Sequence, residues 1–501
     1  MAAIIAIGVV LGTVPMAQGA SGTWELTWGK DVLNNGAPAG FEICTVAANC
    51  KSGASDELGG EFAAPNAVAV DGSAGFIYVA DTGHDRIQKF DLADASFFRT
   101  WGKDVINGSG TGNLERCTNP AVCQAAAAST GLGGEMDAPE GVAVDDTGEV
   151  YVSERFNNRV ERFDGVGDFV SAWGRDVIKL GGSGDTGTGY EICTVEADCK
   201  KGLSGGLGGE LNAPNGIASD GTFIYVADRV NNRIQKFTKA GAFVRAWGKD
   251  VLNNGAPAGF EVCMVAASCK TGAASTGLGG ELNTPVALAP DGVGNVYVAD
   301  TNGSEVQKFS DLGAWDRTWG TDVIKPGGSG DLGAGAEVCT VAASCQAGDN
   351  SADLGGEFNQ PTGIAADATG VFVSDTYNER IQEFDPSGRF FLAWGKNVDL
   401  GGGTGFETCS EAASCLQGAS GGLGGEMQLP AGLWLNDGDL SVADGGNQRV
   451  QRFGVEAPVF PPPTTTTTPP PSSPAAKKKC KKKKHKRAVA AKKKCKKKRK
   501  K

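Results

Sequence analysis

The sequence predicts an all-β fold, a six-bladed β-propeller with four antiparallel strands in each blade. A stretch of about 40 residues, clearest at 207–247, recurs six times in the 501-residue chain. Its final tryptophan returns every 72 to 75 residues, at Trp28, Trp101, Trp173, Trp247, Trp319 and Trp394. One such sheet cannot bury both of its faces, whereas six sheets arranged radially bury them against one another.

The repeat at 207–247 contains four short apolar runs, which we predict to be strands. The first begins at Gly216, IYVAD ends at Asp228, RIQKF ends at Phe237 and FVRAW ends at Trp247. Runs rich in β-branched and aromatic residues, separated by Gly, Asp and Asn, are typical of strands joined by hairpins. The 76 glycines and the 40% hydrophobic content suit a turn-rich all-β protein and not a disordered one.

The order of these runs, from APNG through IYVAD to RIQKF, is similar to the NHL repeat family of six-bladed β-propellers. The resemblance covers roughly 24–453. The Asp and Arg of the turn between the second and third strands recur in nearly every copy, which favours a structural role for them over a functional one. The fourth copy departs from the family pattern, because Glu305 occupies the position of the Arg. The other turns are DTGHDR (Asp81–Arg86), SERFNNR (Ser153–Arg159), DRVNNR (Asp228–Arg233), DTYNER (Asp375–Arg380) and DGGNQR (Asp444–Arg449).

The chain divides by composition into four segments. Residues 1–20 carry a short apolar run followed by small residues, which resembles a secretory signal peptide; a disordered or buried N-terminus is the alternative. Residues 21–456 form the propeller, 457–476 are a Pro- and Thr-rich linker, and 477–501 are a basic tail. We therefore expect a protein that is secreted or associated with the cell surface.

The first and last repeats are each incomplete. TWELTW at 23–28 matches a fourth strand without its first three, and the last repeat ends at Phe453 without a fourth strand. We therefore expect the N-terminal strand to complete the last blade and to close the ring.

An insert of about 30 residues follows each fourth strand and contains two cysteines six positions apart. Most of the runs between the cysteines suit one short helical turn, which a Thr or Ser after the first cysteine would cap. The second run, TNPAV, contains a Pro and fits less well. A metal site needs further His or Cys ligands, and the chain has 2 His, so we predict local disulfides. The pairs are Cys44 and Cys50, Cys117 and Cys123, Cys193 and Cys199, Cys263 and Cys269, Cys339 and Cys345, and Cys409 and Cys415.

All six inserts are expected on one face, because strand direction alternates within a blade. They then lie beside the turns that contain the recurring Asp and Arg, on the face where a rigid scaffold holds loops. We predict that this loop face binds a protein or a glycan. The alternative is that the inserts only pack on one another as a shield.

Few residues point to catalysis. The sequence contains no nucleophile elbow, zinc-protease helix or P-loop motif. Peptide-amidating lyases have this type of propeller, but a catalytic zinc would need several His. His84 lies at a turn position where most copies have Asn, and we expect it to be a solvated turn residue.

A weaker site is predicted at the mouth of the central channel. The residue after the proline that precedes each first strand should face this mouth. Asn66, Glu140 and Asn215 belong to adjacent blades and supply oxygen ligands of the kind that Ca²⁺ takes, whereas Val286, Thr362 and Ala431 oppose them. The lactonase-like propellers are similar in having a central cation. A cation-dependent hydrolase or lyase is therefore the alternative function, and no other cofactor is expected.

The tail is strongly basic. Residues 477–501 contain 18 Lys and Arg and no acidic residue, which leaves 29 basic against 58 acidic residues in the rest of the chain. Such a tail binds polyanions with little discrimination of sequence, so we expect an anionic cell-wall polymer or membrane surface as its partner, and no sequence-specific nucleic acid. Folding back onto the acidic propeller is the alternative, and Cys480 and Cys495 have no assigned partner. The contacts are assigned to Lys477, Lys478, Lys479, Lys481, Lys486, Arg487, Lys492 and Arg499.

Taken together, these features predict an extracellular binding or scaffold protein that is not an enzyme. Its propeller would present the loop face, and its tail would hold it at an anionic surface. An extracellular sensor whose signalling partner is a separate protein is a third possibility.

Overall fold

The computed structural model describes residues 21–34, 40–255, 259–333, 335–350 and 353–456. The chain separates into two units, Met1–Pro458 and Val459–Lys501, and the repeats belong to the first. The signal-like segment 1–20, the linker 457–476 and the basic tail 477–501 lie outside the described residues. No helix within the described part is long and apolar enough to cross a membrane.

Six antiparallel sheets form the predicted ring. The first two strands of the chain, β1 (Thr23–Lys30) and β2 (Phe41–Cys44), belong to blade 6, the last blade of the ring. Blade 1 comprises β3 (Pro65–Asp71), β4 (Phe76–Asp81), β5 (Arg86–Asp91), β6 (Phe97–Lys103) and β7 (Leu114–Cys117). Blade 2 comprises β8 (Pro139–Val144), β9 (Val150–Glu154), β10 (Arg159–Phe163), β11 (Phe169–Arg175) and β12 (Tyr190–Cys193).

The remaining blades repeat this order. Blade 3 comprises β13 (Ile217–Ser219), β14 (Phe223–Asp228), β15 (Arg233–Thr238), β16 (Phe243–Lys249) and β17 (Phe260–Cys263). Blade 4 comprises β18 (Pro285–Pro290), β19 (Asn295–Asp300), β20 (Glu305–Ser310), β21 (Trp315–Thr321) and β22 (Ala336–Cys339). Blade 5 comprises β23 (Gly363–Ala366), β24 (Val371–Asp375), β25 (Arg380–Phe384), β26 (Phe390–Lys396) and β27 (Phe406–Cys409). Blade 6 is completed by β28 (Pro430–Asn436), β29 (Asp439–Asp444) and β30 (Arg449–Gly454).

Each blade has five strands, so the prediction of four was wrong by one. The extra strand is the short run that ends at the first cysteine of each insert, and it pairs with the outer strand of its blade. In blade 3, for example, β17 pairs with β16 from Ala246↔Cys263 to Lys249↔Phe260. The outer strand would otherwise expose unpaired backbone groups at the rim, and the fifth strand covers them.

The N-terminal strand completes blade 6, as predicted. β1 lies between β30 and β2 in that sheet, and its pairing with β30 runs from Thr23↔Gly454 to Gly29↔Arg449. The Thr27 hydroxyl donates a 2.8 Å hydrogen bond to the Val450 carbonyl. The ring is therefore closed by two segments from opposite ends of the propeller sequence.

The repeating tryptophan explains how neighbouring blades pack. It is fully buried on the outer strand, and its ring contacts the Phe at the end of the third strand of the next blade. The ring centroids are 6.0 to 6.1 Å apart at all six interfaces. The pairs are Trp28 and Phe90, Trp101 and Phe163, Trp173 and Phe237, Trp247 and Phe309, Trp319 and Phe384, and Trp394 and Phe453.

Short 3₁₀ helices occur at two recurring positions. One set lies between the paired cysteines, and the other lies in the turn between the second and third strands. The first set is Ala47–Asn49, Pro120–Val122, Glu196–Asp198, Ala266–Ser268, Ala342–Ser344 and Ala412–Ser414. The second set is Thr82–His84, Arg229–Asn231, Thr301–Gly303, Thr376–Asn378 and Gly445–Asn447.

Candidate binding face and channel mouth

The inserts all lie on one face, the face of the turns between the second and third strands. After its second cysteine, each insert returns across the top of its own blade and donates a backbone hydrogen bond to that turn. Gly202 N donates to Asn157 O in blade 2 and Gly272 N donates to Asn231 O in blade 3, each at 2.9 Å. The equivalent donors in blades 1, 4, 5 and 6 are Ala126, Gly348, Gly418 and Gly53. The predicted single loop face is therefore confirmed.

Each insert is closed by the disulfide that the cysteine spacing predicted. The Cα atoms of the paired cysteines are 5.5 to 5.7 Å apart, and the cysteines are buried. The residues between them form the expected helical turn, but Thr45 does not cap it, because the turn begins one residue later at Val46. Only the second copy has a side-chain cap among these turns, in which Asn119 accepts a hydrogen bond from Ala121 N.

The inserts are also joined to one another around the ring. A glycine near the end of each insert donates a backbone hydrogen bond to the helical turn of the next insert. Gly208 N, for example, donates to Ala266 O at 2.9 Å, and Gly424 N donates to Ala47 O at 3.0 Å, which closes the circle. The other bonds are Gly59 to Pro120, Gly133 to Glu196, Gly279 to Ala342 and Gly355 to Ala412. We call this closed circle of inserts the girdle.

The girdle leaves apolar side chains in solvent at equivalent points. The residue that precedes the helical turn is Val in four of the six inserts, with between 42% and 62% of its surface exposed. These residues are Val46, Val195, Val265 and Val341. Packing of insert on insert, the alternative to ligand binding, therefore occurs, but it does not cover these four side chains.

A buried arginine fastens the girdle to each blade except blade 4. Arg233 donates from Nε to the Asp228 carboxylate at 2.8 Å and from its two Nη atoms to four backbone carbonyls. Three of these carbonyls belong to the insert before blade 3, and the fourth, Lys270 O, belongs to the insert after it. The same pattern is made by Arg86, Arg159, Arg380 and Arg449. The recurring arginine therefore has a structural role, because it joins a turn to its two flanking inserts. We call the arginine and its carboxylate partner the latch.

His84 belongs to the same network, so the expectation that it is solvated was wrong. Its side chain is buried, and Nδ1 lies 2.9 Å from Oδ2 of Asp81. The Asn that replaces it in blade 3, Asn231, donates to the equivalent carboxylate at the same distance. Burial raises the pKa of Asp81, but Arg86 and His84 outweigh it and hold that pKa below its usual value.

Blade 4 lacks the latch and carries two buried carboxyl groups instead. Burial raises the pKa of Asp300 to about 7. Burial and the neighbouring Asp300 raise the pKa of Glu305 well above its usual value. An ionised Glu305 only accepts hydrogen bonds and a protonated Glu305 has a single O–H donor, so neither form can bind four insert carbonyls as Arg233 does.

The three residues of the predicted cation site lie together at the channel mouth. Asn66, Glu140 and Asn215 all line a cavity of about 490 Å³ on the loop face. Asn66 Nδ2 donates to the Glu140 carboxylate at 2.9 Å, and Arg155 lies 3.2 Å from the other oxygen of that carboxylate. The described residues hold no cluster of three or more His, Cys, Asp or Glu side chains suited to a metal. Cation binding here stays a prediction.

Two arginines at this mouth were not predicted as site residues from the sequence. Arg155 and Arg229 line the same cavity, at the turn position that directly follows the latch carboxylate. Blades 1, 4 and 5 have Thr at that position, namely Thr82, Thr301 and Thr376. An alignment of the six turns contains this signal, since the two Arg residues are departures from the repeat.

Comparison with known proteins agrees with this architecture. Residues 62–90 match the family model described as the NHL repeat. That segment contains β3, β4 and most of β5, together with the Asp81 and Arg86 latch. The chain is a six-bladed β-propeller that carries an NHL repeat at residues 62–90.

One curated relative of this NHL propeller is peptidyl-glycine alpha-amidating monooxygenase A from Xenopus laevis. It is 35% identical over 108 residues, which are 21% of this chain and 10% of the relative. The match therefore spans about a tenth of that protein's length.

Among solved structures, a streptogramin B lyase is 10% identical, and the alignment covers 85% of this chain and 98% of the lyase, with a TM-score of 0.35. An auxiliary nutrient binding protein from Bacteroides ovatus is 10% identical, covers 86% and 77%, and has a TM-score of 0.40.

The two buried carboxyl groups of blade 4 make the stability of the propeller depend on pH. In the unfolded chain both carboxyls ionise near pH 4, whereas the folded protein holds a proton on Asp300 up to about pH 7. The stabilisation from this pair is therefore fully present below about pH 4 and is lost as the pH rises through 7. We expect Glu305→Gln, which removes one charge, to raise the free energy of unfolding at pH 8 by about 1–3 kcal/mol.

This effect is measured by urea unfolding of the parent and Glu305→Gln at pH 5 and pH 8. The variant should gain more at pH 8 than at pH 5. Glu411→Gln, at an exposed position of the girdle, controls for the change in net charge. An equal effect of Glu305→Gln at both pH values would contradict the prediction.

Proposed function

We propose that this propeller is an extracellular binding or scaffold protein. Its loop face takes a protein or glycan ligand, and its basic tail holds it near an anionic surface. The observation that carries the proposal is the girdle, six disulfide-closed inserts that are hydrogen-bonded into one circle. Such an arrangement gives a binding surface whose loops need little ordering when a ligand arrives.

Exposed apolar side chains on the loop face support the proposed binding role. Four valines project from equivalent points of the girdle, and each is flanked by a polar backbone turn. On a rigid frame, these side chains offer apolar area that a ligand can remove from water with little loss of loop entropy. Because the points are related by the ring, a ligand with repeated groups would engage several of them at once.

The cysteine content supports an oxidising compartment. Six disulfides in one domain are typical of secreted and cell-surface proteins and rare in the cytosol. The signal-like residues 1–20 agree with this location. We infer that the protein acts outside the cytoplasm.

The tail supplies the proposed attachment. Its 18 basic residues follow the Pro- and Thr-rich linker 457–476. Binding of such a tail to cell-wall polymers or anionic lipids releases counterions and weakens steeply with salt. The loop face, by contrast, would bind through contacts that depend less on salt.

One sedimentation experiment tests both parts. The full chain is mixed with purified cell walls, or with liposomes that contain phosphatidylglycerol, at about 50 mM and about 500 mM NaCl. We expect at least a tenfold loss of binding at the higher salt, and loss of the same salt-sensitive part when Lys477–Lys501 is removed. Binding that survives high salt on walls should fall when Val46, Val195, Val265 and Val341 are all replaced by Ser.

Two outcomes would contradict the proposal. Equal binding with and without the tail, insensitive to salt, would exclude attachment by the tail. Salt-resistant wall binding that the four Val→Ser changes leave intact would exclude the valines as the contact. A tail in which the basic residues are replaced by Gln, with the spacer 457–476 retained, is the matched control for chain length.

The enzymatic alternative stays a prediction. The three side chains that a channel-centred hydrolase or lyase would use, Asn66, Glu140 and Asn215, lie at one mouth. An amidating activity like that in the name of the Xenopus relative would need more histidines than the 2 in this chain if it used a His-bound zinc.

A further inference from the structure

The turn residue that faces the channel mouth has a structural task in three blades. The hydroxyls of Thr82, Thr301 and Thr376 each donate to the carbonyl of the proline that begins the next blade, at 2.6 to 2.9 Å. This bond ties one blade to its neighbour at the top of the channel. The repeat therefore favours Thr at this position.

Blades 2 and 3 lack that bond, because they have Arg155 and Arg229 at the position of the Thr. The Arg229 Nε is buried without a hydrogen-bond partner, and Arg229 makes no ion pair with any residue that the structure describes. Burial lowers the pKa of Arg229, and the nearby Arg155 lowers it further, while Glu140 opposes both effects without cancelling them. Of the described lining residues, Glu140 is the one carboxylate that faces these two arginines, and it pairs with Arg155, so the charge of Arg229 is balanced only in part and favours a bound anion.

The charge of the cavity fits a single negative charge. Among the described residues that line the 490 Å³ cavity, the charged groups are Arg155, Arg229 and Glu140. The Glu140 carboxylate already accepts a hydrogen bond from Asn66 Nδ2 and forms an ion pair with Arg155. The three groups carry a net charge of +1. Because Glu140 pairs with Arg155, this charge lies on Arg229.

The channel below the mouth is apolar. It is a narrow cavity of about 130 Å³ lined by Val68, Val142, Leu288, Ile364 and Leu433, with Trp434 farther along. The mouth and the channel share Asn66, Glu140, Asn215, Val286 and Thr362, so one opens into the other. A ligand can thus have its charged end at the arginines and an apolar end in the channel.

We propose that the channel mouth binds a small aliphatic monocarboxylate, with Arg229 and Arg155 holding the carboxylate and the apolar channel holding the chain. Planar guanidinium groups suit a carboxylate because they donate parallel hydrogen bonds to its two oxygens. This site lies at the centre of the ring and is independent of the proposed ligand contacts on the girdle.

Isothermal titration of the full chain with sodium octanoate tests the site. We expect saturable binding, at least a tenfold weaker affinity for Arg229→Thr, and no detectable binding for the double variant with Arg155→Thr. Thr is the residue that blades 1, 4 and 5 have at this position, so the variants should keep the parent melting temperature. Arg229→Lys, which keeps the charge but not the paired donors, should bind with intermediate affinity.

Three controls make the result decisive. Octylamine and 1-octanol should bind at least tenfold more weakly than octanoate, because they lack the carboxylate. Inorganic phosphate should bind more weakly because it has no chain for the channel. The proposal is overturned if the parent does not bind octanoate, if the double variant binds it as well as the parent does, or if phosphate or octanol binds equally well.

Discussion

Removing Ser21–Gly29 is expected to lower the stability of the propeller more than any single substitution. The deletion takes away β1, leaves β2 and β30 without the strand between them, and opens the interface between blades 6 and 1. The deletion removes Trp28, which is fully buried against Phe90. Loss of a buried Trp side chain by itself costs about 3–5 kcal/mol. We therefore expect the free energy of unfolding to fall by at least about 5 kcal/mol.

The measurement compares the melting temperatures of residues 21–501 and 30–501 by circular dichroism. A synthetic peptide of residues 21–30 added in trans should restore part of the loss, since its hydrogen bonds to β30 would be remade. Trp28→Ala in the longer chain should give a smaller loss than the deletion. Equal melting temperatures for the two chains would show that closure by this strand is not needed.

Replacing a latch arginine is expected to have the second largest effect. In Arg233→Met the Asp228 carboxylate loses its ion pair, and four backbone carbonyls lose their donor. Burial already raises the pKa of Asp228 although Arg233 opposes that rise. Removal of one partner from a buried pair typically costs about 3–5 kcal/mol, and we expect a loss of that size.

Urea unfolding at pH 7 measures this loss, with Arg116→Met as the matched control. Arg116 pairs with Asp168 at the surface, and an exposed pair of this kind contributes less than about 1 kcal/mol. The double variant Asp228→Asn with Arg233→Met should recover part of the loss, because no unpaired buried charge remains. A loss for Arg233→Met no larger than for Arg116→Met would refute the latch.

The regular features of the fold could be predicted because they repeat. The spacing of Trp28 and its five equivalents indicated the number of blades, and the two incomplete repeats indicated how the ring closes. The cysteine spacing indicated the disulfides for the same reason. Each of these inferences depends on a side chain that occurs once in every copy, where a local pattern is enough.

The features that escaped prediction depend on backbone atoms or on differences among copies. The fifth strand, such as β17, is only four residues long and exists because the edge of β16 is available. The girdle is made of backbone bonds such as Gly208 to Ala266, which no side chain encodes. Arg155 and Arg229 were visible in the sequence, but their meaning required the cavity that they share.

The closing strand also imposes an order on biosynthesis. A ribosome releases residues 23–30 long before residues 449–454, so a nascent chain holds one strand without its partner until the sixth blade has emerged. An unpaired edge in that interval can pair with another chain and lead to aggregation. Folding to completion must therefore follow synthesis of the whole propeller, and a chain interrupted before β30 would remain an open arc.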